Sequence, residues 1–244
     1  MRTDILGVGF DDLTLDEAAA AGAALVEGGG FHYAVTPNPE FLLTARHDEP
    51  FRQALLGADL VLADGVGVTY AAKILGRPLK GRVPGIEFAQ RLLAWMAAHG
   101  KRLFLLGAKP GVAELAAANL KAAYPGLIVC GTHDGYFQED GPVVKAIQES
   151  AADVVFVCLG APKQELWMVR NGPAAGARLM VGLGGSLDGF AGGVERAPEG
   201  FQKLGLEWLY RLMKEPRRIG RMARLPLVLF QAAGARLTGG RTRA

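Results

Sequence analysis

Polar side chains follow the apolar runs of this sequence at regular points. Thr36 and Asn38 follow "HYAV", Asp64 follows "LVLA", and Arg82 sits in the glycine-flanked "KGRVPG". Gln164 and Glu165 follow "CLGAP", and Asp188 lies in "GLGGSLDGFAGG". A carboxylate, an amide, a hydroxyl and a guanidinium brought to one place make a candidate general base beside a candidate phosphate clamp. Each residue also has a plainer reading. Asn38 and Asp64 are good helix N-caps, and Gln164 fits the first turn of a helix. The glycines of "ADGVGVTY" sharpen the question. Gly65 and Gly67 read as a loop almost without side chains, in which a ligand can approach the backbone.

The familiar alternatives are missing. There is no GxxxxGK[ST] loop, no complete GxGxxG fingerprint in "GVGVTY" or "GLGGSL", and no GxSxG elbow. No DxD pair is present to hold a divalent cation on a diphosphate. The four histidines are scattered, without HxxxH or CxxC, so no metal site is expected.

What must position these residues is a series of short apolar, β-branched runs alternating with helical patterns. Strands are expected near 32–36, 59–63, 103–107, 127–131, 154–159 and 179–183, each apolar enough to be covered on both faces of a parallel sheet. Helices are expected between them. One opens with Thr14 and Glu17 at capping-box spacing; another, "NPEFLLTARHDEPF", opens with Asn38 and Pro39. Others fall near 85–99, 110–123, 139–150 and 162–170. This alternation predicts an α/β fold with a doubly wound, mostly parallel, Rossmann-like sheet. The polar residues then share its carboxyl edge. "LFLLGAKPGVAE" and "VVFVCLGAPKQE" repeat a strand, a Gly-Ala turn, a proline and a helix. Gly107 and Gly160 in those turns would place backbone N–H groups and helix N-termini where phosphates bind.

Half of the 244 residues are hydrophobic and 21% are charged, enough for a sizeable core. The two cysteines, Cys130 and Cys158, lie in apolar runs and read as free thiols of a reducing compartment. The first residues lack a signal-peptide core, and no run of 18 or more apolar residues exists. The net charge of +3 hides an asymmetry. From Lys203 onward there are ten Lys/Arg and two acids, while the preceding chain carries 17 bases and 22 acids. The division expected is an α/β core over 1–200 and a basic, amphipathic, helical C-terminal appendage over 201–244. That appendage is long enough to lie on an anionic membrane and too short to cross it; equally, "LPLVLF" can pack on the core as an ordinary terminal helix.

Seven motifs carry a resemblance. "TPNPEFL", "ADGVGV", "GRVPGIEF", "LGAPKQE", "GLGGSLDGFAG", "RAPE" and "GLEWLYRLMKEPRR" resemble, in kind and order, the WecG/TagA/CpsF glycosyltransferases over nearly the whole chain. The resemblance implies an inverting, metal-independent, cofactor-free glycosyltransferase. Its substrates would be a UDP donor of N-acetylmannosamine, or a related sugar, and a polyprenyl-diphosphate-linked N-acetylglucosamine. Such enzymes serve teichoic acid or surface polysaccharide synthesis, and the expected place is cytoplasmic, peripheral on the inner face of the cell membrane. By the resemblance, Asp64 is the general base, and Thr36 and Asn38 orient the donor sugar and acceptor. Gln164 lies beside the sugar. Arg82, with Arg211, Arg218 and Arg221 of the appendage, stabilises the departing diphosphate. Tyr136 and Asp188 belong to the nucleoside pocket. The later basic residues, Arg236 included, go to the membrane with "LPLVLF". A detachable appendage also implies that self-association of the core, as a homo-oligomer, can compete with its docking.

Two other classes compete. One is another nucleotide-sugar enzyme such as a UDP-sugar epimerase, which needs no acceptor. The other is a nucleic-acid binder gripping phosphates with the basic tail; the acidic remainder and the lack of interleaved surface aromatics count against it.

Overall fold

The computed structural model describes residues 2–192 and 225–237. Its centre is a six-stranded, wholly parallel sheet in the order β4-β3-β8-β7-β5-β6. The strands are β3 (His32–Val35), β4 (Leu60–Val61), β5 (Arg102–Gly107), β6 (Ile128–His133), β7 (Val154–Cys158) and β8 (Leu179–Gly182). All six expected runs form strands. Their side chains alternate between two cores. Val35, Val61, Phe104, Leu106, Val155, Val157 and Met180 face one; Ala34, Leu60, Leu103, Leu105, Val154, Phe156 and Val181 face the other.

Helices cover both faces, as in a doubly wound fold. One core is closed by α1 (Leu15–Gly28), α5 (Gly85–Ala98), α6 (Val112–Ala123) and the short α9 (Ser186–Phe190). The other is closed by α2 (Pro39–Thr44), α3 (Glu49–Leu56), α4 (Val66–Ile74), α7 (Asp140–Glu149), α8 (Lys163–Ala175) and α10 (Leu225–Leu237). The capping box opens α1 as expected: Glu17 N–H donates to Thr14 Oγ1, and Thr14 N–H donates to Glu17 Oε2 at 2.7 Å.

Three elements differ from the sequence expectation. The N-terminal residues form an antiparallel hairpin, β1 (Arg2–Ile5) and β2 (Val8–Asp11), joined at Leu6 and Gly7, both with positive φ as a type I′ turn requires. It clamps the edge strand β4. Asp11 accepts from Val61 N–H at 2.8 Å, and Arg2 pairs with Asp11 while donating to the carbonyls of Ala58 and Asp59. The "NPEFLLTARHDEPF" stretch is two helices rather than one, because Asp48 caps a second start at Phe51 N–H (2.9 Å), with Pro50 in its first turn. The glycine stretch after Asp64 is not a loop. It is the first turn of α4, whose Gly67, Val68, Ala71 and Ala72 are buried.

Outgoing connections reverse direction between β5 and β7. The chain leaves β5 toward the β6 edge and leaves β7 toward β8. A crevice opens at the carboxyl ends of two strands related in this way. Gly107 is needed there. Its φ is +129, and a Cβ would sit 2.3 Å from the Cys158 carbonyl oxygen. Gly107→Ala is expected to cost about 3 kcal/mol or more, since it meets backbone rather than a movable side chain. Urea unfolding of the two proteins measures it.

Candidate active site at the carboxyl edge

The two edges of the sheet differ in how their polar groups are satisfied. At the amino edge they pair with one another. Asp59 accepts from the Tyr33 N–H and bonds the His32 ring, and Asp153 accepts from the Arg102 N–H. At the carboxyl edge, α4, α6, α7, α8 and α9 all begin without a side-chain cap among the described residues. Helix starts that no side chain caps, with the helix dipoles behind them, favour an anion there.

Backbone bonds assemble one half of the edge. Asp64 N–H donates to the Pro37 carbonyl at 3.1 Å, and Val83 N–H donates to the Ala63 carbonyl at 2.8 Å. Segments 36–38, 62–64 and 82–84 therefore run side by side and bring Thr36, Asn38, Asp64 and Arg82 to one patch. Thr36 is buried at the end of β3, and its hydroxyl donates to the Gly182 carbonyl of β8 at 3.1 Å. Gly85 opens α5 against it; a Cβ there would come within 3.0 Å of Thr36 Oγ1. Asn38 is the N-cap of α2, its Oδ1 accepting from Glu40 N–H at 2.8 Å and Phe41 N–H at 3.3 Å. The cap position of α4 is Gly65 (φ +90), not Asp64, so the capping alternative for Asp64 is not what the helix start uses. Asp64 is half-buried between Pro37 and that start.

The other half lies at the β5–β7 crevice. Gly107 ends β5, and Gly160 follows β7 with φ +77 and open space where a Cβ would stand. The Gly135 N–H donates to the Ala108 carbonyl at 2.9 Å. Lys163, at the first position of α8, donates to the Gly135 carbonyl at 3.1 Å and stands 4.9 Å from the Phe137 ring centroid. Next to it Tyr136 is 65% exposed, its N–H held by Asp134 Oδ1 at 2.7 Å. Asp188 lies on α9, and its charge acts on the Cys158 thiol. Burial first, and that charge second, push Cys158 up to about 12, so it is no nucleophile.

Gln164 joins the halves. It is buried; its Oε1 accepts from Gly184 N–H at 2.9 Å and its Nε2 donates to Glu165 Oε1 at 2.6 Å. Thr36 and Gln164 thus hold the end of β8 from opposite sides. Arg211, Arg218 and Arg221 lie outside the described residues. α10 packs on α4 and α2, the helices that follow Asp64 and Asn38, burying Val228 and Ala232. Arg236 donates to the Ile74 carbonyl at the end of α4 at 3.1 Å. Leu227, Phe230 and Leu237 on the same helix stay exposed. No group of three or more His, Cys, Asp or Glu is placed to hold a metal among the described residues, and no helix there is long and apolar enough to cross a membrane.

The family model of the glycosyl transferase WecG/TagA/CpsF family matches residues 3–242. The chain belongs to that family. It is therefore a glycosyltransferase. Two relatives, from Staphylococcus aureus strains MRSA252 and MW2, are each 36% identical over 96% of this chain and 93% of their own length. Both are named N-acetylglucosaminyldiphosphoundecaprenol N-acetyl-beta-D-mannosaminyltransferase.

Two residues at this family member's edge had no role assigned from sequence: Lys163, whose bond to Gly135 is tertiary, and Glu165. The signal for Glu165 is its place on the inner face of α8, in series with the buried Met168, Gly172 and Ala175. Burial pushes its carboxyl up to about 7, opposed by the bond from Gln164. The folded value stands above the ordinary 4.5, so the stability this group contributes is fully present below about pH 4.5 and is lost as pH rises through about 7. Against Glu165→Gln, the wild type should lose about 3 kcal/mol between pH 4 and 8 in urea unfolding.

Proposed function

We propose that this chain transfers N-acetylmannosamine, or a related sugar, from a UDP donor to a polyprenyl-diphosphate-linked N-acetylglucosamine. Transfer proceeds with inversion and without a metal ion, in synthesis of teichoic acid or another surface polysaccharide. One observation carries the reading: the side-by-side segments that set Asp64 beside Thr36, Asn38 and Arg82, at an edge rich in uncapped helix starts. The relatives' names supply the sugar, the lipid-linked acceptor and a β linkage. From an α-linked nucleotide donor, a β product requires a single displacement.

In that displacement the acceptor hydroxyl attacks the anomeric carbon, Asp64 takes its proton, and the bond to the diphosphate breaks. The charge leaving on the diphosphate meets Arg82 and the uncapped N–H groups at the starts of α6 and α8. Arg211, Arg218 and Arg221 would add bidentate contacts, the role a divalent cation plays elsewhere. The bonds that hold Asn38 use its oxygen, which leaves amide donors for a sugar hydroxyl. Gly65 and Gly67 keep the start of α4 thin beside the sugar, and Tyr136 and Asp188 frame the nucleoside. The appendage over 201–244 completes the site and touches the anionic membrane surface at the inner face, where basic residues each add about 1 kcal/mol. The packing of α10 on α2 and α4 supports a link between appendage and site. An epimerase is not favoured: the relatives' names carry an acceptor, which an epimerase does not need.

Asp64→Asn should bind UDP-sugar as the wild type does and lose transfer by about 10³-fold or more. Near-normal turnover in that variant would remove Asp64 as the base. Full activity in EDTA is expected as well; a strict Mn²⁺ requirement would overturn the metal-free mechanism.

A further inference from the structure

The inner face of α8 carries one polar pair where the rest is apolar or small: Gln164 and Glu165 precede Trp167, Met168, Gly172 and Ala175. Glu165 is fully buried. Its Oε1 accepts from Gln164 Nε2, and its Oε2 has no partner among the described residues. Such a carboxyl is costly, and an apolar side chain of similar size avoids that cost. Room is made for it even so. A Cβ on Gly182 would stand 3.2 Å from Glu165 Oε1 and 2.9 Å from Gln164 Nε2.

We propose that Glu165 is a positioning residue that acts through Gln164 in sugar transfer. An amide side chain can turn over with little change of shape, exchanging its oxygen for its nitrogen. Two demands prevent this here. The Gly184 N–H requires the oxygen on its side, and the Glu165 carboxyl requires the nitrogen on the other. The remaining Nε2 hydrogen is then a donor with a set direction, suited to a hydroxyl or carbonyl oxygen of the donor sugar. A carboxylate bonded to one amide hydrogen also polarises the group and strengthens the other as a donor. Charged side chains around α8 are engaged elsewhere. Asp140 of α7 accepts from Trp167 Nε1 and Asn171 Nδ2, and Lys163 bonds Gly135. The proposal rests on the transferase reading for its kinetics and on Gly184 for its structure, so the two are tested separately.

The full chain is assayed with UDP-N-acetylmannosamine and a short-chain polyprenyl-diphosphate N-acetylglucosamine, and exchange of the Gly184 amide is followed by NMR. Glu165→Met should lower kcat about tenfold or more, leave KM for the donor within about threefold, and speed Gly184 exchange about tenfold. Glu165→Gln, which keeps an acceptor oxygen, should restore kcat to within about threefold and remove the wild-type pH dependence around neutrality. Unchanged kcat and unchanged Gly184 exchange in Glu165→Met overturn the proposal. So does Glu165→Gln as impaired as the methionine variant. Should Glu165→Met not fold, Glu165→Gln decides alone: kept kcat with a flattened pH profile upholds the role, and a tenfold loss overturns it. A wild type inactive on this acceptor counts against the transferase reading only. Gly184 exchange then still decides, upholding the held amide if it speeds in Glu165→Met and overturning it if it does not.

Discussion

Where β8 ends, Gly182 leaves out a side chain, and three groups of α8 fill the space: the Gln164 amide, the Glu165 carboxyl and the Met168 methyl. The carbonyl of the same residue accepts from Thr36, which follows β3. Neighbouring strands and the helix above them are thus locked at one level of the sheet. The segments that carry Asn38, Asp64 and Gly184 leave from that level. Segments 36–38 and 62–64 are aligned by bonds between main chains, and 82–84 by one more. Positions set by backbone bonds between buried strand ends vary little, as a site needing sub-ångström placement requires.

The electrostatic polarity follows from the same parallel arrangement. Every strand starts at one edge and ends at the other. At the amino edge, acids and bases neutralise one another locally, as Arg2 with Asp11 and His32 with Asp59 do. At the carboxyl edge the helices following β4 to β8 start without side-chain caps among the described residues. Side-chain caps appear on helices that do not directly follow a strand of the central sheet: Thr14 on α1 and Asp48 on α3. Asn38 is the exception at the carboxyl edge, and its cap uses only its oxygen.

How much of this is legible in the sequence depends on whether a feature is local. The six sheet strands are legible because burial on both faces makes each a continuous apolar run, and the capping box at Thr14 is a local pattern. So are the polar residues at strand ends, which is why Thr36, Asn38, Asp64, Arg82 and Gln164 could be named together. The hairpin is not legible in this way. Its strands are four residues each, and their place is set by Asp11 and Arg2 reaching β4 some fifty residues on. α4 misleads because "GVGVTY" has poor helix propensity; its buried face against α10 decides the matter. Glu165 reads as an ordinary first-turn acid until the inward face of α8 is known. The series 165, 168, 172, 175 would have shown it, had the helix been phased by its apolar positions.

Gly107 and Gly182 stand on the strands to either side of β7, opposite Cys158 and Val157. At that level the neighbouring strands present main chain and nothing else. A side chain added at either position collides with its neighbours. Side chains at this edge are therefore supplied by the segments that begin at Thr36, Asp64, Asp134 and Gly184. A substitution in those segments can alter the edge without touching the close contacts that the strands make at Gly107 and Gly182.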